Sequence, residues 1–260
     1  MSTLRIATIQ TELFWENTDA NLEMLSQKIN KIQEEVDLIV LPEMFTTGFS
    51  MKTELAELPD GIATTWLKKI AQNKNSAICG SVMYRETNNE VYNRMLWANP
   101  DGTLYHYNKK HLFRFANEHN HYKAGNNKTI IQYKGFKIQL LVCYDLRFPV
   151  WIRRTPNQDF DAIIFVANWP EKRAEHWKAL LKARAIENQC YVIGVNCVGT
   201  DGNNIAYSGD TSIIEPTGTI VYTQANQQEI AINNILLEKV LNYRNEFKAW
   251  QDADNFLITE

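Results

Sequence analysis

The 260-residue chain is poor in cysteine, has no long apolar run and carries no excess of basic charge, and each shortage excludes a class of protein. Its four cysteines, Cys79, Cys143, Cys190 and Cys197, form no C-x-x-C pair. Disulfide frameworks belong to small secreted domains, so reduced thiols are expected here. No apolar stretch approaches the ~20 residues that span a bilayer, and no secretory leader follows the opening Ser2-Thr3-Leu4-Arg5. A soluble, cytoplasmic protein without membrane contact is therefore expected. Basic residues number 27 against 30 acidic, a net charge of −3. The densest basic cluster, Lys109 and Lys110 with Arg114 nearby, is too small for a phosphate track, so no nucleic-acid partner is expected. With 11 Gly and 7 Pro, collagen-like and low-complexity architectures are excluded as well.

What is present is apolar material for a large core, 45% of the residues, enough to exclude global disorder at this net charge. Leu4–Gln10 alternates as a strand. Leu22, Leu25, Ile29, Ile32 and Val36 follow at helical steps of three and four, after a capping Asn17-Thr18. Residues 37–41 form a short run, apolar after Asp37 and ending at Pro42, the pattern of a strand covered on both faces. Strand, helix, strand in this order predicts a βαβ unit. Further strands are expected at 76–84, 91–98, 103–107, 136–143, 161–167 and 191–198, and helices at 62–72, 175–188 and 235–247. No linker, low-complexity segment or sequence repeat interrupts them, so residues 1–260 read as one α/β domain.

Cys143 closes the apolar strand Phe136–Cys143 and leads into Tyr144-Asp-Leu-Arg147-Phe-Pro149. A thiol at such a strand end meets unpaired backbone N–H groups, which lower its pKa and favour the thiolate. The competing reading is a buried core cysteine. That second reading suits Cys79, Cys190 and Cys197, which fall inside apolar strands. A nucleophilic cysteine needs a base and a partner for the oxyanion it creates. His111, His119, His121 and His176 lack a fixed third partner, and no recognised zinc spacing accompanies them. Glu43 instead sits at the carboxyl end of a buried strand, where α/β sheets place ligands. Lys109 follows the strand at 103–107 in a similar position. Singly, both read as surface charges; jointly with Cys143 they suggest a site.

These three segments resemble the carbon–nitrogen hydrolases of the nitrilase superfamily. Leu41-Pro-Glu43-Met-Phe45, Lys109-Lys-His-Leu-Phe113 and Leu141-Val-Cys143-Tyr-Asp-Leu-Arg147 match its base, lysine and nucleophile segments in order, and Glu118 with Gly125 matches its second glutamate. His111–Tyr122, Asn168-Trp169-Pro170, Arg173, His176-Trp177, 183–189 and 207–210 are most similar to the bacterial omega-amidases within it. The resemblance implies a four-layer α-β-β-α sandwich and a homodimer, with helices after Cys143 and around 175–188 at its interface. It implies hydrolysis of a small-molecule amide, 2-oxoglutaramate or 2-oxosuccinamate, without metal or cofactor. Glu43 is then the base, Cys143 the nucleophile, Lys109 and the Tyr144 backbone N–H the oxyanion donors, and Glu118 the positioner of Lys109. Such a substrate carries a carboxylate. Arg173 is the leading candidate to bind it and Trp169 a candidate wall of the pocket, while Arg147 reads as a structural partner for a carboxylate.

Overall fold

The computed structural model describes residues 2–155 and 157–258, so Met1, Pro156 and residues 259–260 of the expected 1–260 domain lie outside it. In chain order the elements are β1 (Thr3–Gln10), α1 (Thr18–Asn30), β2 (Leu38–Val40), α2 (Ile62–Lys74), β3 (Ala77–Arg85), β4 (Val91–Ala98), β5 (Leu104–Asn108), β6 (Ile130–Tyr133), β7 (Phe136–Val142), α3 (Pro149–Ile152) and β8 (Ala162–Val166). Then follow α4 (Ala174–Asn188), β9 (Tyr191–Val195), β10 (Val198–Thr200), β11 (Ala206–Ile214), β12 (Ile220–Ala225), β13 (Glu229–Leu236) and α5 (Leu237–Glu246).

One sheet has the order β13-β1-β2-β3-β4-β5 and the other β10-β11-β9-β8-β7-β6, with β12 also paired to β11. β1, β2 and β3 are mutually parallel, as are β7, β8 and β9. Alternation along the strands of the first sheet separates two interiors. Leu4, Ile6, Leu38, Val40, Cys79, Met95 and Trp97 pack between the sheets, with Ile138, Leu140, Ile164 and Ile193 in the same cluster. Ala7, Ile9, Ile39, Leu41, Ile78 and Leu96 turn the other way, onto Leu22, Leu25 and Ile29 of α1 and Leu67, Ile70 and Ala71 of α2. Trp177, Leu181 and Ala185 of α4 cover the outer face of the second sheet. The result is the expected α-β-β-α sandwich.

Local chemistry explains the element ends. Asn17 caps α1, its Oδ1 accepting the Ala20 N–H at 3.1 Å. α1 stops at Asn30, earlier than the apolar pattern implies, yet Ile32 and Val36 stay buried beneath it. Asn75 ends α2 in the left-handed conformation. β6 and β13 are among the strands that no expected range covers. β6 is a short edge strand that buries only Ile131, and β13 holds polar Asn233 and Asn234 at the other sheet's edge. β13 takes Ile235 and Leu236 from the helix expected at 235–247, because β1 pairs with it out to Leu236. Cys190 and Cys197 lie just outside β9, buried but not within a strand.

Candidate active site

Glu43 lies just beyond β2, on a loop stitched to β3. Ser81 supplies both the hydroxyl that accepts the Met44 N–H (2.9 Å) and the carbonyl that accepts the Phe45 N–H (3.0 Å). Lys109 directly follows β5. Its N–H binds the Asn93 carbonyl and its carbonyl takes the Gly125 N–H, each at 2.9 Å. A Cβ on Gly125 would stand 2.2 Å from the Asn108 carbonyl oxygen, so only glycine allows this approach. Cys143 follows β7 and opens a 3-10 turn, Cys143–Arg147, with φ at +42°. That left-handed geometry costs a residue with a Cβ about 1–2 kcal/mol. The turn is held from two sides. Arg184 of α4 donates twice to the Leu146 carbonyl (3.0 and 2.7 Å). Asp145 accepts the Val142 N–H, the Tyr107 hydroxyl and the His111 N–H (3.1, 2.8 and 2.9 Å). Through Asp145 the turn of Cys143 and the loop after Lys109 are fixed to each other.

The three strand ends converge. The Lys109 ammonium donates to Glu43 Oε1 at 3.0 Å and to both Glu118 oxygens at 2.9 and 3.0 Å, with all three side chains fully buried. Asn93 Nδ2 bridges the carboxylates, 2.7 Å from Glu43 Oε1 and 3.3 Å from Glu118 Oε1. The other Glu43 oxygen accepts the Asn168 N–H at 2.8 Å. Burial alone would push the Lys109 pKa down, but Glu118 and Glu43 outweigh it and hold it above its ordinary value. Burial raises the Glu118 carboxyl; Lys109 opposes that and Glu43 adds to it.

Cys143 corrects an expectation. Its thiol lies well above its ordinary range, through burial first and the Glu43 carboxylate second, against the pull of Lys109. The backbone donors of a strand end lose here first to burial and then to Glu43, and a five-residue 3-10 turn has little dipole to set against them. Burial and the neighbouring carboxylate both favour the protonated sulfur over the thiolate.

Cys143 and Lys109 open on a cavity of about 640 Å³ whose walls include Phe113, Tyr144, Trp169 and Tyr207. Arg147, Lys172 and Arg173 also line it, and among the described residues no carboxylate does. Arg173 stands 5.3 Å above the Phe113 ring. Trp169 lines the cavity, its indole donating to the Arg173 carbonyl at 2.8 Å. Arg147 departs from expectation. Its guanidinium lies 4.7 Å over the Trp169 ring and 3.1 Å from His176 Nδ1, facing the cavity instead of a carboxylate. His111 binds Asp145 at 2.8 Å and stacks on Phe148. Sequence reasoning gave Asn93, Asp145 and Asn168 no role. Asp145 and Asn168 lie within segments that carry the family resemblance, whereas Asn93 is an ordinary strand residue whose use depends on the fold.

The family model for carbon-nitrogen hydrolases matches residues 5–245. Omega-amidase YafV of Escherichia coli K12 is 46% identical over 259 residues, 99% of this chain and 100% of that protein. The 2-oxoglutaramate amidase of Bacillus subtilis 168 is 34% identical over 251 residues, covering 95% and 96%. Among solved structures, XC1258 of Xanthomonas campestris, described as a CN-hydrolase superfamily protein with an arsenic adduct in its active site, superposes with a TM-score of 0.96 at 41% identity, each chain fully covered. This chain belongs to the carbon-nitrogen hydrolase family and is an amidase-type hydrolase.

Proposed function

We propose that the chain is an omega-amidase, hydrolysing the terminal amide of 2-oxoglutaramate or 2-oxosuccinamate to ammonia and a 2-oxo dicarboxylate. The observation that carries this reading is the lining of the cavity. A buried Glu43–Lys109–Cys143 cluster lies at one end, and around it stand Arg147, Lys172 and Arg173 with no carboxylate among the described lining residues. An amide that also bears a carboxylate fits both features. The full-length similarity to an omega-amidase supports the same choice.

In the proposed reaction the Cys143 proton passes to Glu43 as sulfur attacks the amide carbon. The oxyanion is held by Lys109 and the Tyr144 backbone N–H, donors that typically contribute about 3–4 kcal/mol. The C–N bond breaks with its electron pair on nitrogen, which takes the proton from Glu43 and leaves as ammonia. Glu43 then removes a proton from water, the resulting hydroxide attacks the thioester, and the proton returns to sulfur. Glu118 keeps Lys109 fixed and charged throughout. The test is ammonia release from 2-oxoglutaramate beside a nitrile and a carbamoyl amino acid. The amide is expected to react fastest, and turnover of only one of the others would overturn the reading.

A further inference from the structure

Six buried side-chain polar atoms among the described residues have no hydrogen-bond partner, and one of them, Asn168 Oδ1, belongs to a residue lining the cavity beside Cys143. Asn168 is only 4% exposed. Its amide orientation is fixed by chemistry. Nδ2 stands 3.0 Å from the Glu43 carbonyl oxygen, which can only accept, so Oδ1 is the free branch. A buried acceptor without a partner is costly and marks a place for a donor from outside the protein.

We infer that Asn168 Oδ1 accepts an N–H of the scissile amide and so orients its nitrogen for departure, an inference resting on the amide-hydrolysing reading above. Three directions around the amide carbon have to be filled. Sulfur comes from Cys143, and the oxygen faces Lys109. The nitrogen must lie within reach of Glu43, which protonates it, and Glu43 Oε2 already touches the Asn168 N–H at 2.8 Å. The leaving group therefore stands next to Asn168. A primary amide offers two N–H donors there, whereas an ester offers none and leaves Oδ1 unpaired. When the tetrahedral intermediate collapses, the C–N electron pair moves to nitrogen and is protonated by Glu43. An N–H held by Asn168 points the forming lone pair toward that proton. Asn168 thus favours amides over other acyl compounds of the same shape.

The test is the ratio of kcat/KM for 2-oxoglutaramate to that for the methyl ester of the same acid, which forms the same thioester on Cys143. Asn168→Ala is expected to lower this ratio at least tenfold. Because the amide depends on protonation by Glu43 more than the ester does, the pH profiles of both reactions are read beside the ratio. A fall in the ratio with unshifted profiles supports the inference, and a fall accompanied by a shifted profile assigns the loss to Glu43 and overturns it. Asn168→Ser, whose hydroxyl stops one bond short of Oδ1, carries the same test if the alanine variant does not fold. An unchanged ratio in the folded variant overturns the inference. Failure of the wild type on 2-oxoglutaramate is a separate result that overturns the substrate reading. The ratio is then read on whichever amide and matching ester the wild type does hydrolyse.

Discussion

In the first sheet three parallel strands, β1, β2 and β3, are followed by antiparallel β4; in the second, β7, β8 and β9 are followed by β11 in the same arrangement. The strand ends of the two halves are nevertheless used differently. The first sheet presents charge, with Glu43 after β2 and Lys109 after β5. The second presents the sulfur after β7 and neutral Asn168 and Trp169 after β8. Packed face to face, each sheet makes good what the other lacks. A buried ammonium and two carboxylates are bridged by Asn93 of the first sheet, Asn168 after β8 of the second binds Glu43, and the nucleophile enters from that second layer. The carboxylates come from one wall and the cavity's Arg147, Lys172 and Arg173 from the other, and the thiol's proton crosses the junction between walls.

Breaking that junction from the charged side has the largest expected effect. Glu43→Gln removes the proton acceptor, so amide turnover should fall by about 10²- to 10⁴-fold. The sign for the thiol is opposite. The negative charge of Glu43 disfavours a second negative charge on sulfur and raises the Cys143 pKa. Its removal leaves the ammonium of Lys109 less opposed, and the thiol pKa should drop. Thiolate absorbance in the ultraviolet, followed across pH, checks this. A variant that loses activity while its thiol pKa stays or rises would show that Glu43 does not act on Cys143.

The next effect separates the cavity wall from the reacting centre. Arg147 and Arg173 come from the second half of the chain and flank the cavity without a protein carboxylate opposite them. Burial, with the like charge of Arg173 adding and Tyr144 opposing, holds the Arg147 pKa below its ordinary value. A substrate carboxylate relieves that repulsion. A hydrogen bond to a charged group is worth about 1.5–3 kcal/mol. Arg147→Ala or Arg173→Ala should therefore raise KM for 2-oxoglutaramate by roughly 10- to 100-fold and leave an uncharged aliphatic amide almost unaffected. Equal losses on both substrates would assign these residues to packing.

Much of this was legible along the chain because it depends on neighbours in sequence. The apolar run 38–40 marks β2, its carboxyl end marks Glu43, and Lys109 and Cys143 stand just past their strands in the same way. The pattern also fixed α2 and α4 to within a few residues, while α1 ends six residues before its last apolar position, Val36. What escaped depends on distant segments meeting. The thiol's direction of shift is set first by its burial between the sheets and then by Glu43, brought in from the other sheet. Arg147 looked like a partner for a carboxylate because its turn could be read but not the cavity in front of it. Asn93 gains a role only when β4 lies against both glutamates. β13 was hidden because an edge strand has one neighbour to satisfy and tolerates Asn233 and Asn234.

The finest comparison lies at two glycines in equivalent places, Gly80 fourth in β3 and Gly194 fourth in β9. Neither has a positive φ; both are small because something presses on them. A Cβ on Gly80 would meet Leu41 Cβ and the Phe45 ring at 2.8 Å, and one on Gly194 would meet a Leu181 methyl at 2.6 Å and the Trp177 ring at 2.9 Å. Gly80→Ala and Gly194→Ala should each cost about 1–3 kcal/mol of stability, read as a lower denaturant midpoint. Their effects on turnover should differ. Leu41 and Phe45 sit two residues either side of Glu43, and Leu41 Cβ cannot swing aside, so Gly80→Ala displaces the base and lowers kcat severalfold. Leu181 yields by rotating a side chain on α4, and Gly194→Ala should leave kcat nearly intact. Equal losses of kcat would mean that strain in either sheet reaches Glu43, and that the two halves are mechanically one.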